Sequence, residues 1–481
     1  MKKRKIFIYK RFFLLERRHK SLDCKNSSRK MNDYKIKYLI IFALLFAFAE
    51  SFRDPIQAIS TNFEEHDKNY NLNIIKNEKK KCGSFESLNL DNMNLHILKN
   101  DIIRSDHIQH ISVYNNNINN TYTILDNVPN LFCLNLSRNE INIYNGNELK
   151  HSNLKVLDLS YQKISEAKDL EDYEELNDLY KNIIFNSKNM KLPNLQYLDL
   201  SGNDISSLLW DFNISFPQLR QLDLINVKAD ELEPTFFSKI PTSLRALHLE
   251  NNYLHNLTLQ NTAEVIALYL DGNPDLKIIN IASKTLKSLS LSNCPSLGHG
   301  NFDTPFLEQL DFSMNDFETV TYINFQAFRS LRILLLNYNK LQKIPLITNL
   351  QQLNELSLNF NMIKNIPSNI FSYFPSLKKL SLKGNNIEYI EKDSFLNLNN
   401  LEYLNLSENG LRRLPYNWAM SLINLQYLNV NSNQFENILD LTLNSAVISL
   451  KHLSVKDNIF TKMITTAELA YLPNSTIVYV A

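Results

Sequence analysis

Glycine and cysteine are both scarce in this 481-residue chain, at 8 and 4 residues. The first shortage leaves no glycine-rich loop to cradle a phosphate. The second leaves no paired C-x-x-C, and neither H-E-x-x-H nor G-x-S-x-G occurs. The usual residue constellations of nucleotide-dependent, metal-dependent and nucleophilic enzymes are missing. The chain therefore reads as a non-enzyme with no cofactor and no metal, and His107 and His110, neighbours early on, read as surface residues. A cationic surplus is also missing from most of the chain. The formal charge of +1 averages a basic head, residues 1–37 with 14 Lys/Arg against 3 Asp/Glu, and a remainder with a net charge near −10. Phosphate contacts need clustered cations, so this acidic body argues against nucleic acid as a partner.

Long apolar runs are absent too, apart from the twelve residues Tyr38 to Ala49, YLIIFALLFAFA, bounded by Lys37 and Glu50. A helix needs ~20 such residues to cross a bilayer, whereas the core of a secretory signal is this short. Lys35 and Lys37 supply the positive flank, and Ala47-Phe48-Ala49 has the small-x-small form of a cleavage site. The reading is a basic leader and signal over 1–49, starting at Met31 and cleaved after Ala49, then a polar lead-in over 50–84. The alternative retains Met1 and keeps the apolar run as an uncleaved anchor. Cleavage implies a secreted protein with no membrane anchor in the mature chain.

What the chain has in abundance is one pattern, LxxLxLxxNxL, where x is mostly polar. Leu377-KK-Leu380-S-Leu382-KG-Asn385-N-Ile387 is an example. Sixteen copies open at Phe85, Ile108, Leu131, Leu154, Leu195, Leu219, Leu244, Val265, Leu286, Leu307, Leu331, Leu353, Leu377, Leu401, Leu425 and Leu450, with a half-copy from Ile477. The LxL step has period two, which puts both leucines on one side of a short strand and the residue between them on the other. One coil cannot bury its leucines alone; stacked coils merge them into a continuous core. The asparagine ends the strand and turns inward, where its amide satisfies backbone groups that water cannot reach. The predicted ladder is Asn116, Asn139, Asn203, Asn252, Asn273, Asn315, Asn339, Asn361, Asn385, Asn409, Asn433 and Asn458, interrupted by Met93, Gln162, Val227 and Cys294. A thiol at Cys294 is small and still donates weakly, which gives it a structural role.

This pattern resembles the leucine-rich-repeat family, in particular its typical 24-residue, extracellular subfamily, over residues 85–481. Phe325, Phe371 and Phe395 match that subfamily's return-segment phenylalanine. The subfamily looks like Toll-type receptor ectodomains, small proteoglycans and secreted insect immune proteins. The resemblance implies an α/β-type solenoid, a horseshoe with a concave parallel β-sheet and an irregular or short-helix convex side. It also implies extracellular recognition. Extracellular members seal their ends with disulfide-bearing caps, but Cys24, Cys82, Cys133 and Cys294 form no such cluster. Cys24 leaves with the leader, and Cys133 falls two copies beyond Cys82, so no intrachain disulfide is expected.

Residues three and five of each copy are expected to project from the concave face. Asp158, Asp199, Asp223 and Asp311 stand there, with Asp271 beside them: either ordinary solvated strand positions or a patch for a basic partner. Ile333 and Leu335 are apolar where the pattern predicts exposure, and Tyr197, Tyr269, Tyr403 and Tyr427 share the face. This set is the candidate partner-binding surface, for a protein or a glycan. Sequons occur at Asn119, Asn135, Asn213, Asn256, Asn405 and Asn474, of which Asn135 and Asn405 are expected to face outward on strands. An insertion over 165–194 reads as an amphipathic helix at 166–185, which either packs on the convex side or projects to bind or dimerise. The leading function is a secreted recognition protein in immunity or adhesion; a receptor ectodomain and an intracellular scaffold are the alternatives.

Overall fold

The computed structural model describes residues 82–97, 103–119, 127–141, 149–163, 190–205, 211–260, 264–443 and 447–462, together with Leu125, Thr465 and most of 469–480. The leader, the lead-in to 81 and the helix expected at 166–185 lie outside the described residues. All described residues belong to one compact unit, Tyr70–Ala481.

Each of the sixteen copies and the half-copy forms one three-residue strand, and the strands pair in parallel, copy to copy, into a 17-stranded sheet. The register is constant. In the run Leu334, Leu356, Leu380, Leu404 and Leu428, each fourth-position leucine pairs with the next. That residue points inward and is buried in strand after strand, while its two neighbours point outward. The half-copy sits two residues off the expected register: Val478, not Val480, pairs with Leu453. The leucines of all coils merge into one core cluster, as a stack that buries nothing coil by coil requires.

On the return side, the described residues hold short pieces only: a three-stranded parallel sheet (Asn256–Leu259, Ile278–Ala282, His299–Asp303) and two two-stranded ones. Helices Phe212–Ser215 and Phe236–Lys239 and three 3-10 turns complete it. Met190–Lys191, at the end of the insertion, pairs with Leu149–Lys150. Phe371 and Phe395 stack at 5.9 Å, and Trp418 continues the row edge-on to Phe395 at 5.5 Å, so a tryptophan extends the phenylalanine spine.

The asparagine ladder forms as expected. Asn385 donates from Nδ2 to the carbonyls of Leu358 (2.9 Å) and Leu382 (3.0 Å), and its Oδ1 accepts the amide of Ile363 at 3.1 Å. Gln162 occupies the asparagine place and makes the same three bonds with its longer amide, to Leu136, Leu159 and Ile141. Cys294 is fully buried and donates from Sγ to Leu270 O at 3.3 Å, while burial pushes its thiol up to about 12.

Two further findings were not anticipated, and the second overturns an expectation. The residue before each asparagine place, the eighth of the copy, has positive φ in all sixteen copies, yet only Gly202, Gly272 and Gly384 are glycines there. The turn needs the left-handed region whatever the side chain, and asparagine or aspartate fills six of the remaining places. Cys82 and Cys133 form a disulfide, with Cα atoms 5.9 Å apart. The expectation of distance failed because the chain ahead of Ser87 does not continue the solenoid. It crosses the outward side of the first strands, over His110, whose ring hydrogen-bonds to the Cys82 backbone.

Candidate recognition face

The outward side of the long sheet is set by the third and fifth residues of each copy. Asp158, Asp199, Asp311, Tyr269, Tyr403, Tyr427, Ile333 and Leu335 are all half-buried there, between a buried row of leucines and solvent. Two expected members are not available. Tyr197 is 3% exposed and Asp223 7%. The Tyr197 hydroxyl donates to Asp223 Oδ2 and, at 3.3 Å, to Asp199 Oδ2. Burial and the surrounding carboxylates drive its pKa far upward, so it stays a donor. A tyrosine among aspartates folds onto them instead of standing free, because its hydroxyl donates to carboxylate oxygens that Gln221 and Ser201 leave open.

The aspartates are partly turn-builders. Asp158, Asp199 and Asp311 accept the amide two residues on, from Ser160, Ser201 and Ser313 at 3.0, 3.0 and 2.8 Å. This local bond explains why Leu-Asp-Leu-Ser recurs without any ligand. Asp158, Asp199 and Asp223 also pair directly across adjacent strands, and His248 follows Asp223 in the same row. Burial raises the pKa of Asp223, Asp271 and Asp311, opposed by the hydrogen bonds each accepts.

Residues the pattern did not single out, joined by Asp271, Tyr403 and Tyr427, complete the face. At the seventh position, Asp91, Asp271, Asn337, Asn359 and Asn431 each accept the fifth-position serine hydroxyl of the next coil: Ser112, Ser290, Ser357, Ser381 and Ser454, at 2.5–2.7 Å. Each also accepts the seventh-position amide of that coil, as Asn359 does from Lys383 at 2.9 Å. An Asx at position seven followed by a serine at position five of the next copy is a visible signal for this second ladder. At the C-terminal end, Tyr403, Tyr427 and His452 form a row of rings, with Tyr427 and His452 stacked at 4.8 Å and Tyr479 close to His452. Third, fifth and seventh positions carry no Lys or Arg from the Phe85 copy through the Leu353 copy, but eight carboxylates. Lys379 is the first cation, 3.7 Å from Glu355.

The sequons separate by exposure. Asn119, Asn213, Asn256 and Asn474 are exposed, none of them on a strand of the long sheet. Asn135 is half-buried. Asn405 does not face outward into solvent as expected: it is 3% exposed, and its Oδ1 accepts both the amide and the hydroxyl of its own Ser407. Its repeat uses the asparagine as a turn-builder, as others use aspartate, which leaves no room for a glycan. Among the described residues, no helix is long and apolar enough to cross a membrane, and no cluster of ligand-type side chains suits a metal ion.

Residues 375–435 and 194–213 match family models described as leucine-rich repeats. Tsukushi of Gallus gallus is 27% identical over 51% of this chain and 65% of its own length. Podocan of Mus musculus is 28% identical over 39% of this chain and 31% of its length, and chaoptin of Tribolium castaneum 31% over 36% and 20%. The chain thus spans less than two thirds of each of these relatives. Among solved structures, the glycosylated Toll–Spatzle complex of Drosophila superposes with a TM-score of 0.56 at 18% identity, covering 82% of this chain and 54% of that one, which is a likeness of fold. Matched segments, amide ladder and parallel sheet agree: the chain is a leucine-rich-repeat solenoid, similar in fold to that of Toll.

Proposed function

We propose that this chain is a secreted recognition protein that binds another protein, or a glycan, through the concave face of its sheet, in innate immunity or cell adhesion. The observation that carries this reading is the face itself. Across seventeen strands the fourth residue is committed to the core, while the third and fifth stay largely half-exposed on a rigid frame. Such a surface presents side chains at strand spacing without needing to order on binding. Ile333 and Leu335 are half-exposed on the same side of one strand, Ile333 between Gln309 and Glu355 and Leu335 between Asp311 and Ser357. Apolar side chains among polar ones are the usual material of an interface centre.

Secretion is supported by the apolar stretch ending at Ala49 and by a family whose solved member named above binds Spatzle. On this reading, glycans sit at Asn119, Asn213, Asn256 and Asn474 and leave the sheet bare. Expression in secretory cells should yield medium protein beginning at Glu50, with glycosidase-sensitive mobility and no glycopeptide at Asn405. Protein confined to cytosol would defeat the reading. For the face, the set Ile333→Ala, Leu335→Ala, Tyr403→Ala and Tyr427→Ala should weaken capture of a cross-linked extracellular partner at least tenfold, with folding unchanged by circular dichroism. Undiminished capture would move the interface elsewhere.

A further inference from the structure

His248 stands at the fifth position of its coil, paired with Asp223 of the strand before and Tyr269 of the strand after. Its ring stacks on Tyr269, with centroids 4.5 Å apart and planes inclined by 16°. Its two nitrogens meet two different carboxylates. Nδ1 lies 2.8 Å from Oε1 of Glu250, and Nε2 lies 3.9 Å from Oδ1 of Asp223. A neutral imidazole has one N–H and one lone pair. Either tautomer therefore turns a lone pair toward a carboxylate, and only the doubly protonated ring suits both.

Among the described residues, the charged groups acting on the ring are carboxylates. The strand before contributes Asp223 and Gln221, the strand before that Asp199 and Tyr197, the histidine's own coil Glu250, and the next coil Tyr269 and Asp271. Asp223 has further donors in Gln221 (2.8 Å) and Tyr197. Glu250 is less well served: its Oε2 is buried without a hydrogen-bond partner. Burial alone would push the ring's pKa down. The Glu250 hydrogen bond and the charges of Asp223, Glu250 and Asp199 outweigh it and hold the ring above its ordinary value.

We propose that His248 is a protonation switch in the recognition face: as imidazolium it bridges Asp223 and Glu250, and on losing its proton it releases them and removes one positive charge from the middle of the face. Its use in regulating partner binding rests on the concave-face reading above, while the switch itself does not. A group whose pKa is raised by folding stabilises the fold fully below its unfolded value, about 6.5. That contribution is lost as pH rises through the higher folded value. The bridged state belongs to pH below the raised folded value, and the released state, more attractive to a basic partner, to pH above it.

The test needs no partner. In full-length protein with 13C-labelled histidine, the ring signal absent from His248→Gln should titrate above pH 6.5. It should move to lower pH in Glu250→Gln, which keeps the ring and loses one carboxylate charge. Between pH 6 and 9 the wild-type Tm should fall further than that of His248→Gln. A ring that titrates at or below 6.5, or one unmoved by Glu250→Gln, overturns the switch, as do parallel Tm profiles. If His248→Gln does not fold, the Glu250→Gln titration decides, with its ring assigned by stacking contacts to Tyr269. Failure of the alanine set above would instead count against the binding face and leave this titration as it is.

Discussion

At the eighth position of each coil the backbone adopts a conformation that glycine accepts freely and other residues adopt at some cost. Gly384 shows why three coils still use glycine. Its φ is +69°, and a Cβ there would lie 2.4 Å from the ring of Phe360, the eighth residue of the preceding coil. Phe360 in turn stacks on Tyr338 at 4.6 Å, so the ring has little room to retreat. Gly384→Ala should therefore destabilise by about 1–3 kcal/mol, through strain and overlap together. Denaturant unfolding measures it, and Phe360→Ala in the same chain should recover part of the loss. A change below ~0.5 kcal/mol would show that the stacked rings yield easily. The left-handed position itself was not legible, because glycine, its usual sign, is so rarely there. Asparagine at Asn92, Asn115, Asn226, Asn251 and Asn293 was the available trace.

The first coils depend on a crosslink that spacing argued against. The strands Ser87–Asn89, His110–Ser112 and Cys133–Asn135 pair on their own, yet among the described residues no strand pairs with the first from the other side. The Cys82–Cys133 bond spans 51 residues of chain and covers that edge. On the loop-entropy model, closing a loop of this length is worth roughly 4 kcal/mol. Cys82→Ser should loosen the coils up to Cys133 while coils beyond Leu286 stay as they are. Hydrogen exchange would show it as faster amides at Leu90 and Val113, both bonded to the following coil, and equal rates across both segments would rule it out. The strands were legible because their period repeats. The disulfide was not, because it depends on how the chain enters the first coil, a path no repeat dictates. The same divide runs through the recognition face. Outward positions followed from period two, but whether Tyr197 or Asn405 stands free depends on its neighbours: Asp223 for one, Ser407 for the other.

At the scale of the whole array, each coil touches mainly the coils beside it, so stability passes from neighbour to neighbour. Asn339 lies near the middle and bonds to Phe312 and Leu336 carbonyls, with its Oδ1 taking the amides of Asn315 and Phe317. Asn339→Leu strips partners from buried groups of two coils at a cost of a few kcal/mol. Calorimetry should then resolve two unfolding transitions where the wild type shows fewer; a single transition merely lowered in Tm would mean that the core couples the halves more tightly than nearest-neighbour contact provides.

Among the described residues, with Cys82 bonded to Cys133, one free thiol remains, Cys294, sealed in the core of the central coils. Its burial keeps it protonated and out of reach of alkylating reagents. The moment those coils part, both protections vanish together. Labelling of that sulfur thus counts openings of the middle of the solenoid in the unmodified protein, without any probe being introduced.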